Sequence, residues 1–234
     1  MSRDSMAAAM AGRHPQLAGI AQFVQRDGAK VTFDIGWPEL ERDTLWAQRL
    51  IEVCGLAGGD HVLVTGRNAE GPWLNPLVDA LRAGRITFST AEPYGWDAKR
   101  SATFLSLLPI NAVIGLSGES AQGLTADEQI VERLAKVPLI WARPDGVGPL
   151  REVGVEPATI AMLGPALAAE CSPRSGLHLD PDEWRVERAI DGLTLTVVGD
   201  RAFARRDIAL GVDGEVDPTP CRCGLPGPRV RLVY

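Results

Sequence analysis

Gly58-Gly59-Asp60-His61-Val62-Leu63-Val64 is the stretch that decides the fold class. Its first three residues make a turn that stops a helix, and the four that follow read as a short buried strand. Upstream, residues 38–56 open on Pro38, a favoured first helical position, and place Ala47, Leu50, Ile51 and Cys54 on one helical face. Downstream the grammar repeats. Leu74, Leu77, Val78 and Leu81 keep helical spacing, Gly84 closes that helix, and Arg85 to Ser89 is the next strand. Asp97 to Leu108 turns Ala98, Ala102, Leu105 and Leu108 inward and feeds Ala112-Val113-Ile114-Gly115-Leu116. A fourth helix near Asp127–Ala135 buries Ile130, Val131 and Leu134 and leads to Pro138-Leu139-Ile140-Trp141. Strands alternating with helices of about ten residues predict an α/β fold, a parallel sheet with flanking helices.

The grammar changes after residue 143. Prolines and glycines become dense, and strands at Thr159–Leu163, Trp184–Ala189 and Leu193–Val198 follow one another without helices between them. Asp191-Gly192 is a hairpin-turn signal between the last two. The expected organisation is an α/β subdomain over residues 28–143 and a smaller, mostly β subdomain over 144–234, preceded by a loose N-terminus.

Composition narrows the function classes. The chain has 234 residues, 45% of them hydrophobic, enough for a sizeable core. Its net charge of −6 argues against a nucleic-acid surface or an anionic membrane as partner. Met1 to Pro15 lacks a continuous apolar core of signal-peptide length, and no apolar run approaches a membrane span. A cytoplasmic protein is expected.

Cys171, His178, Cys221 and Cys223 read as C-x6-H followed by C-x-C, a donor set of the right number for one tetrahedral zinc. Three thiolates and one imidazole close the shell and leave no position for water, so such a site is structural. The alternatives are inert thiols or a Cys221–Cys223 disulfide, which is strained across a single intervening residue. The fourth cysteine, Cys54, lies on the apolar stripe of the first helix.

Other chemistry is sparse. Gly55 to Gly59 and Gly115 to Gly118 lack the lysine and spacing of a phosphate-cradling loop. Loops at strand ends of a parallel sheet are the usual ligand sites, which singles out Thr65-Gly66-Arg67-Asn68 and Leu116-Ser117-Gly118-Glu119-Ser120, although ordinary glycine-containing turns are the simpler reading. Ser117 is not in a nucleophile elbow, and with His14 in the N-terminal stretch, His61 opening a strand and His178 a ligand, no histidine is free for a Ser-His-Asp relay. The six tryptophans are spread along the chain and read as packing.

Taken in order, these segments resemble the phenylacetate–CoA ligase family of adenylate-forming enzymes. Cys54-Gly55-Leu56-Ala57-Gly58-Gly59-Asp60-His61-Val62 is similar to the family's G-x-x-P-G-D-x-V segment, and Leu81-Arg82-Ala83-Gly84 to its next helix end. Ala169-Glu170-Cys171, Gly176-Leu177-His178-Leu179, Arg206-Asp207-Ile208 and Pro220-Cys221-Arg222-Cys223-Gly224 followed by Pro228-Arg229-Val230 resemble the family's E-C, G-L-H, R-D-L and C-x-C-G…P-R segments. The resemblance implies a metal on the Cys/His set and makes Asp207 the match to an aspartate that holds nucleotide ribose hydroxyls. A turn aspartate beside Arg205 and Arg206 is the alternative.

The departures point away from catalysis. Where active members carry a Ser/Thr/Gly-rich phosphate loop, this chain has Gln22-Phe23-Val24-Gln25-Arg26-Asp27-Gly28-Ala29-Lys30, with one glycine and no serine or threonine, so residues 1–27 hold a loose N-terminus and a degenerate phosphate-loop region. Met162-Leu163-Gly164-Pro165 runs almost directly into Glu170-Cys171, so the family's magnesium glutamate is missing. The C-terminal lid with its adenylation lysine is absent from the sequence. ATP, AMP and CoA are therefore doubtful cofactors. The expectation is a non-catalytic, truncated relative of acyl- and aryl-CoA ligases, a binding or scaffold subunit working through a protein partner or self-association. The alternatives are a ligase or acyl-transfer component completed by a partner chain, and a sensor of an aryl or acyl acid.

Overall fold

A computed structural model describes residues 16–233; the N-terminal stretch expected to be loose, Met1 to Pro15, lies outside the described residues. Strands β3 (His61–Thr65), β4 (Thr87–Ala91), β5 (Ile110–Leu116) and β6 (Leu139–Ala142) are parallel neighbours, as the alternating pattern predicts. Helices α1 (Trp37–Val53), α2 (Gly71–Ala83), α3 (Ala98–Leu107), α4 (Gly118–Thr125), α5 (Glu128–Leu134) and α6 (Pro144–Glu152) flank the sheet. Side chains alternate between its faces. Val62, Val64, Ala112 and Ile114 pack with Leu50, Leu77 and Leu81 of α1 and α2, whereas Leu63, Val113 and Ile140 pack with Leu105, Leu124 and Leu150 on the opposite face.

The parallel strands do not end at a domain border. Strands β7 (Ala158–Leu163), β8 (Ala166–Glu170), β9 (Leu177–His178), β13 (Asp213–Asp217) and β14 (Arg229–Val233) extend them into one nine-stranded mixed sheet ordered β13-β14-β9-β8-β7-β6-β5-β3-β4. Strands β10 (Trp184–Ala189), β11 (Gly192–Val197) and β12 (Ile208–Ala209) form a small antiparallel sheet, with Ile190-Asp191 as the two-residue connection between the first two. Among the described residues, no helix is long and apolar enough to cross a membrane.

Four features differ from the sequence reading. The stretch before residue 28 contains strand β1 (Leu17–Val24), which pairs antiparallel with β2 (Lys30–Gly36) and buries Ala21 and Phe23. Helix α1 ends at Gly55 and not at Gly58: Gly55 adopts φ 83°, its N–H donates to Glu52 O, and the Leu56 N–H reaches back to Ile51 O. Helix α2 uses the same closure, but its left-handed residue is Arg85 (φ 56°) and not Gly84, which delays β4 by two residues. Helices α4 and α6 were not anticipated.

Helix α1 is anchored at both faces. Glu39 accepts the Gly36 N–H at 2.9 Å at its start. Arg201, whose side chain is 3% exposed, lies within 2.7 Å of Asp43, 2.8 Å of Glu183 and 3.2 Å of Glu39, and stacks 4.4 Å over Trp184. Burial disfavours the charge on Arg201, but the hydrogen bond and charge of Asp43, then Glu39 and Glu183, outweigh it and raise its pKa. The cluster ties α1 to the small β-sheet. Arg201→Ala leaves buried Glu39 and part-buried Asp43 without their cation and Glu183 with Arg42 alone, and is expected to lower stability by about 3–5 kcal/mol, read from chemical denaturation midpoints.

Candidate functional site

From β3 the chain moves to β4 on one side and then to β5 on the other, so the strand order reverses between β3 and β5. In open α/β sheets such a reversal opens a crevice at the carboxyl ends of the strands. Here a cavity of about 360 Å³ lies at that edge, lined by apolar Leu74, Ile160 and Met162 and by polar Arg67, Ser117 and Arg143. Both loops singled out from the sequence contribute to it.

Arg143 forms part of the crevice wall. It follows β6 directly and precedes α6. Its Nε donates to Gly115 O at 2.8 Å, and its two terminal nitrogens donate to the Glu70 carboxylate at 2.6 and 2.7 Å. A longer bond, 3.4 Å, reaches Thr65 O. The Gly115 carbonyl is available because Gly115 holds φ 85° at an irregularity in β5; an added Cβ would stand 2.3 Å from Thr65 O. Glu70 also accepts the Arg67 N–H at 2.8 Å. Burial raises the Glu70 pKa, but the Arg143 hydrogen bond, the Arg67 N–H and the Arg143 charge together hold it below the usual carboxylate value.

Arg67 lies on the rim. Its guanidinium sits 4.9 Å over the Tyr94 ring, and Tyr94 stacks on Trp96 with centroids 5.8 Å apart and planes inclined by 18°. Trp96 is 69% exposed. Ser117 caps α4 by accepting the Ser120 N–H and donates to Pro93 O at 2.6 Å, so its hydroxyl is a structural group. His61 reaches Ser89 Oγ at 2.9 Å.

The structure brings the four metal-ligand candidates together. Cys171 follows β8, His178 ends β9, and Cys221 and Cys223 lie on a turn closed by the Gly224 N–H to Cys221 O. Their ligand atoms lie within 4.8 Å of one another. Cys171 Sγ is 3.6 Å from Cys221 Sγ, and Cys223 Sγ is 3.5 Å from His178 Nε2. Zinc with ~2.3 Å sulfur bonds sets its ligands ~3.8 Å apart, so both pairs sit near coordination spacing. All four cysteines are free thiols.

The donor chemistry fits a soft divalent metal. Burial, then hydrogen bonds to the Cys221 and Cys223 sulfurs, pushes the Cys171 thiol far up. Burial, then the Arg229 charge, brings His178 down to about 4 and keeps the imidazole neutral. Burial would raise Cys221, but the Cys223 backbone N–H and the Ser175 hydroxyl bring it to about 7. Three adjacent sulfurs cannot all ionise unless a cation replaces their protons. The Leu225 N–H points at Cys223 Sγ at 3.4 Å, as an outer partner of a ligating thiolate does. His178 Nδ1 is buried without a hydrogen-bond partner, so packing and the Nε2 contact with Cys223 Sγ orient the ring.

Asp207 stands apart from both places. It is exposed, adopts φ 52°, donates its N–H to Thr196 Oγ1 at 3.1 Å, and lines a shallow groove with Arg185 and Arg206. The sequence reading missed Arg143 and Glu70. The available signal was a charged residue directly after the apolar run Leu139-Ile140-Trp141-Ala142.

No known protein family and no curated protein matches this chain by sequence. Solved structures do resemble it. A 2-hydroxyisobutyryl-CoA ligase in an open conformation, in complex with 2-hydroxyisobutyryl-AMP and CoA, superposes with a TM-score of 0.63 at 16% identity over 97% of this chain and 60% of that one. The same enzyme in its postadenylation state gives 0.64 at 14% identity, over 97% and 54%. The N-terminal subdomain of Klebsiella oxytoca NpsA gives 0.53 at 12% identity, over 94% and 62%. The chain thus spans between about half and three fifths of the length of the ligase chains it resembles.

Two outcomes follow from the geometry. Glu70→Gln breaks the ion pair and is expected to cost about 3 kcal/mol. Because the folded Glu70 pKa is depressed, the pair's contribution is complete above the ordinary value of 4.5 and fades as pH falls below it; melting curves of wild type and variant should converge there. Separately, metal analysis of the purified protein should find one equivalent of bound metal, lost in Cys221→Ser while the parallel sheet stays folded. The fold these comparisons show is the one seen in acyl-CoA ligase structures, and in this chain an ion pair stands in the wall of its strand-end crevice.

Proposed function

We propose that the chain is a non-catalytic relative of acyl- and aryl-CoA ligases that acts as a binding or scaffold subunit. The observation that carries this reading is the turn between β1 and β2, at the place the sequence resemblance gives to the phosphate loop. A phosphate loop works by pointing free N–H groups at the ligand. In this turn the Gln25 N–H donates to Ala29 O at 2.9 Å, the Gly28 N–H to Gln25 O at 3.0 Å, and the Ala29 N–H to the Asp27 carboxylate at 2.9 Å. Three of the turn's N–H groups are taken, and a carboxylate stands where phosphate would need positive potential. The Arg143–Glu70 pair in the crevice supports the same reading. Asp207 is then a relic or a weak ribose contact.

In this account zinc is the metal of the Cys171, His178, Cys221 and Cys223 set. A closed thiolate–imidazole shell is a structural centre, and its unoxidised thiols suit a reducing, cytoplasmic compartment. Partnership with another protein, or self-association, supplies the biological role. A second reading, a sensor of a small acyl or aryl acid, is favoured by the apolar cavity beside Arg67. It requires Arg67→Ala to abolish any thermal shift produced by a panel of carboxylic acids.

The isolated protein should neither bind ATP measurably in calorimetry nor catalyse ATP–pyrophosphate exchange with any aryl or fatty acid. One missing oxyanion-type donor costs about 3–4 kcal/mol in transition-state stabilisation, and here the N–H groups of Gln25, Gly28 and Ala29 are all engaged. Robust exchange that Asp207→Ala abolishes would overturn the reading and restore the ligase alternative.

A further inference from the structure

A second polar groove, of about 410 Å³, lies where α6, the loop between β8 and β9, and β14 meet. It shares no lining residue with the crevice. Arg151 of α6, Arg174 of the loop and Arg231 of β14 line it, over a floor that includes Leu177 and Val230. In a chain of net charge −6, three guanidinium groups from three elements around one groove require an account.

The acids nearby are already engaged. Glu170, which also lines the groove, accepts the Thr159 N–H at 2.8 Å and the Gly176 N–H at 3.3 Å. Asp217 is shared between Arg231 at 2.7 Å and the buried Arg229 at 2.8 Å. Arg151 meets exposed Glu156 at 3.4 Å. Arg174 has no side-chain partner among the described residues, and its backbone is held in the left-handed region at φ 50°. An arginine there carries a conformational cost that a glycine would not, and strained residues of this kind concentrate at ligand clamps. The loop is fixed from below, because Arg229 and Arg231 both donate to Ser175 O, at 3.0 and 3.3 Å.

We propose that this groove binds the phosphate group of a small anionic ligand, with Arg174 as the principal contact and Arg151 and Arg231 closing around it. Guanidinium forks match the oxygen spacing of phosphate and make charge-assisted hydrogen bonds to it. Arg151 and Arg231 already have carboxylate partners, which leaves the Arg174 guanidinium as the one open to an anion in this groove. The site needs neither the crevice nor the β1–β2 turn, and it stands whether or not the non-catalytic reading holds.

The test uses the full chain and inorganic phosphate, titrated calorimetrically at constant ionic strength against a chloride blank. Saturable binding is expected. Arg174→Ala should weaken it roughly tenfold or more, as loss of a charged hydrogen bond does, with Arg151→Ala weakening it less and Arg133→Ala, on α5, leaving it unchanged. Bound metal is measured in each variant, since Arg174 lies between two ligands of the Cys/His set. Weakening with metal retained supports the site. Absence of saturable phosphate binding would overturn it, as would equal affinity in Arg174→Ala and Arg133→Ala, loss of binding only alongside loss of metal, or a clear preference for an acidic peptide over phosphate.

Discussion

The architecture turns on one guanidinium. Arg143 stands where the buried strand β6 ends, at an apolar edge where an unpaired charge would cost several kcal/mol. It is tolerated because Glu70 and the carbonyls of Gly115 and Thr65 receive it. Those groups belong to the ends of β5, of β3 and of the turn after β3. Arg143 therefore links the three central parallel strands at the edge where related α/β sheets open to ligand. The left-handed Gly115 makes the link possible, since a residue with a Cβ would collide with β3. What stabilises the edge also occupies it.

The C-terminal third needs staples of a different kind. Strands β9 and β12 are two residues long and cannot hold register by pairing alone. Register is set by side-chain chemistry at long range instead. Cys171 and Cys221 are 50 positions apart, so a metal between them closes a long loop. Arg201 does the same for the small sheet, binding carboxylates of α1 across 158 positions. Each staple is buried and each collects several partners, so its removal is felt well beyond the contact itself.

How much of this was legible in the sequence depended on whether the deciding chemistry is local. The apolar runs of β3, β5 and β6 and the stripes of α1 and α2 were readable because the two faces of a parallel sheet leave a periodic mark. The Cys/His set was readable because residue type alone narrows its chemistry. Helices α4 and α6 were not, since Gly118, Gly123, Gly146 and Pro149 argue against helix in any local reading. Tertiary approach explains the glycines: a Cβ at Gly118 would lie 2.9 Å from Asp145 O, at Gly123 2.6 Å from Ala98 Cβ, and at Gly146 2.5 Å from Leu116 O. The two helices pack too closely for larger residues, and that closeness outweighs propensity. Strand β1 was hidden by the expectation of a loop. The Arg143–Glu70 pair, 73 positions apart, emerges only once strand order is known.

The β1–β2 turn and the β3–β5 crevice share a physical logic. In each, polar groups at the place where a ligand would sit already have partners within the chain. A ligand must displace an intramolecular partner that is present at high effective concentration, which is a steeper requirement than displacing water. A fold that supplies its own carboxylates and guanidinium groups at these places gains local order from within the chain. The sheet is tied at these places by pairs within the chain, Arg143 with Glu70 at its strand ends and Arg201 with Asp43 and Glu183 where helix α1 meets the small sheet.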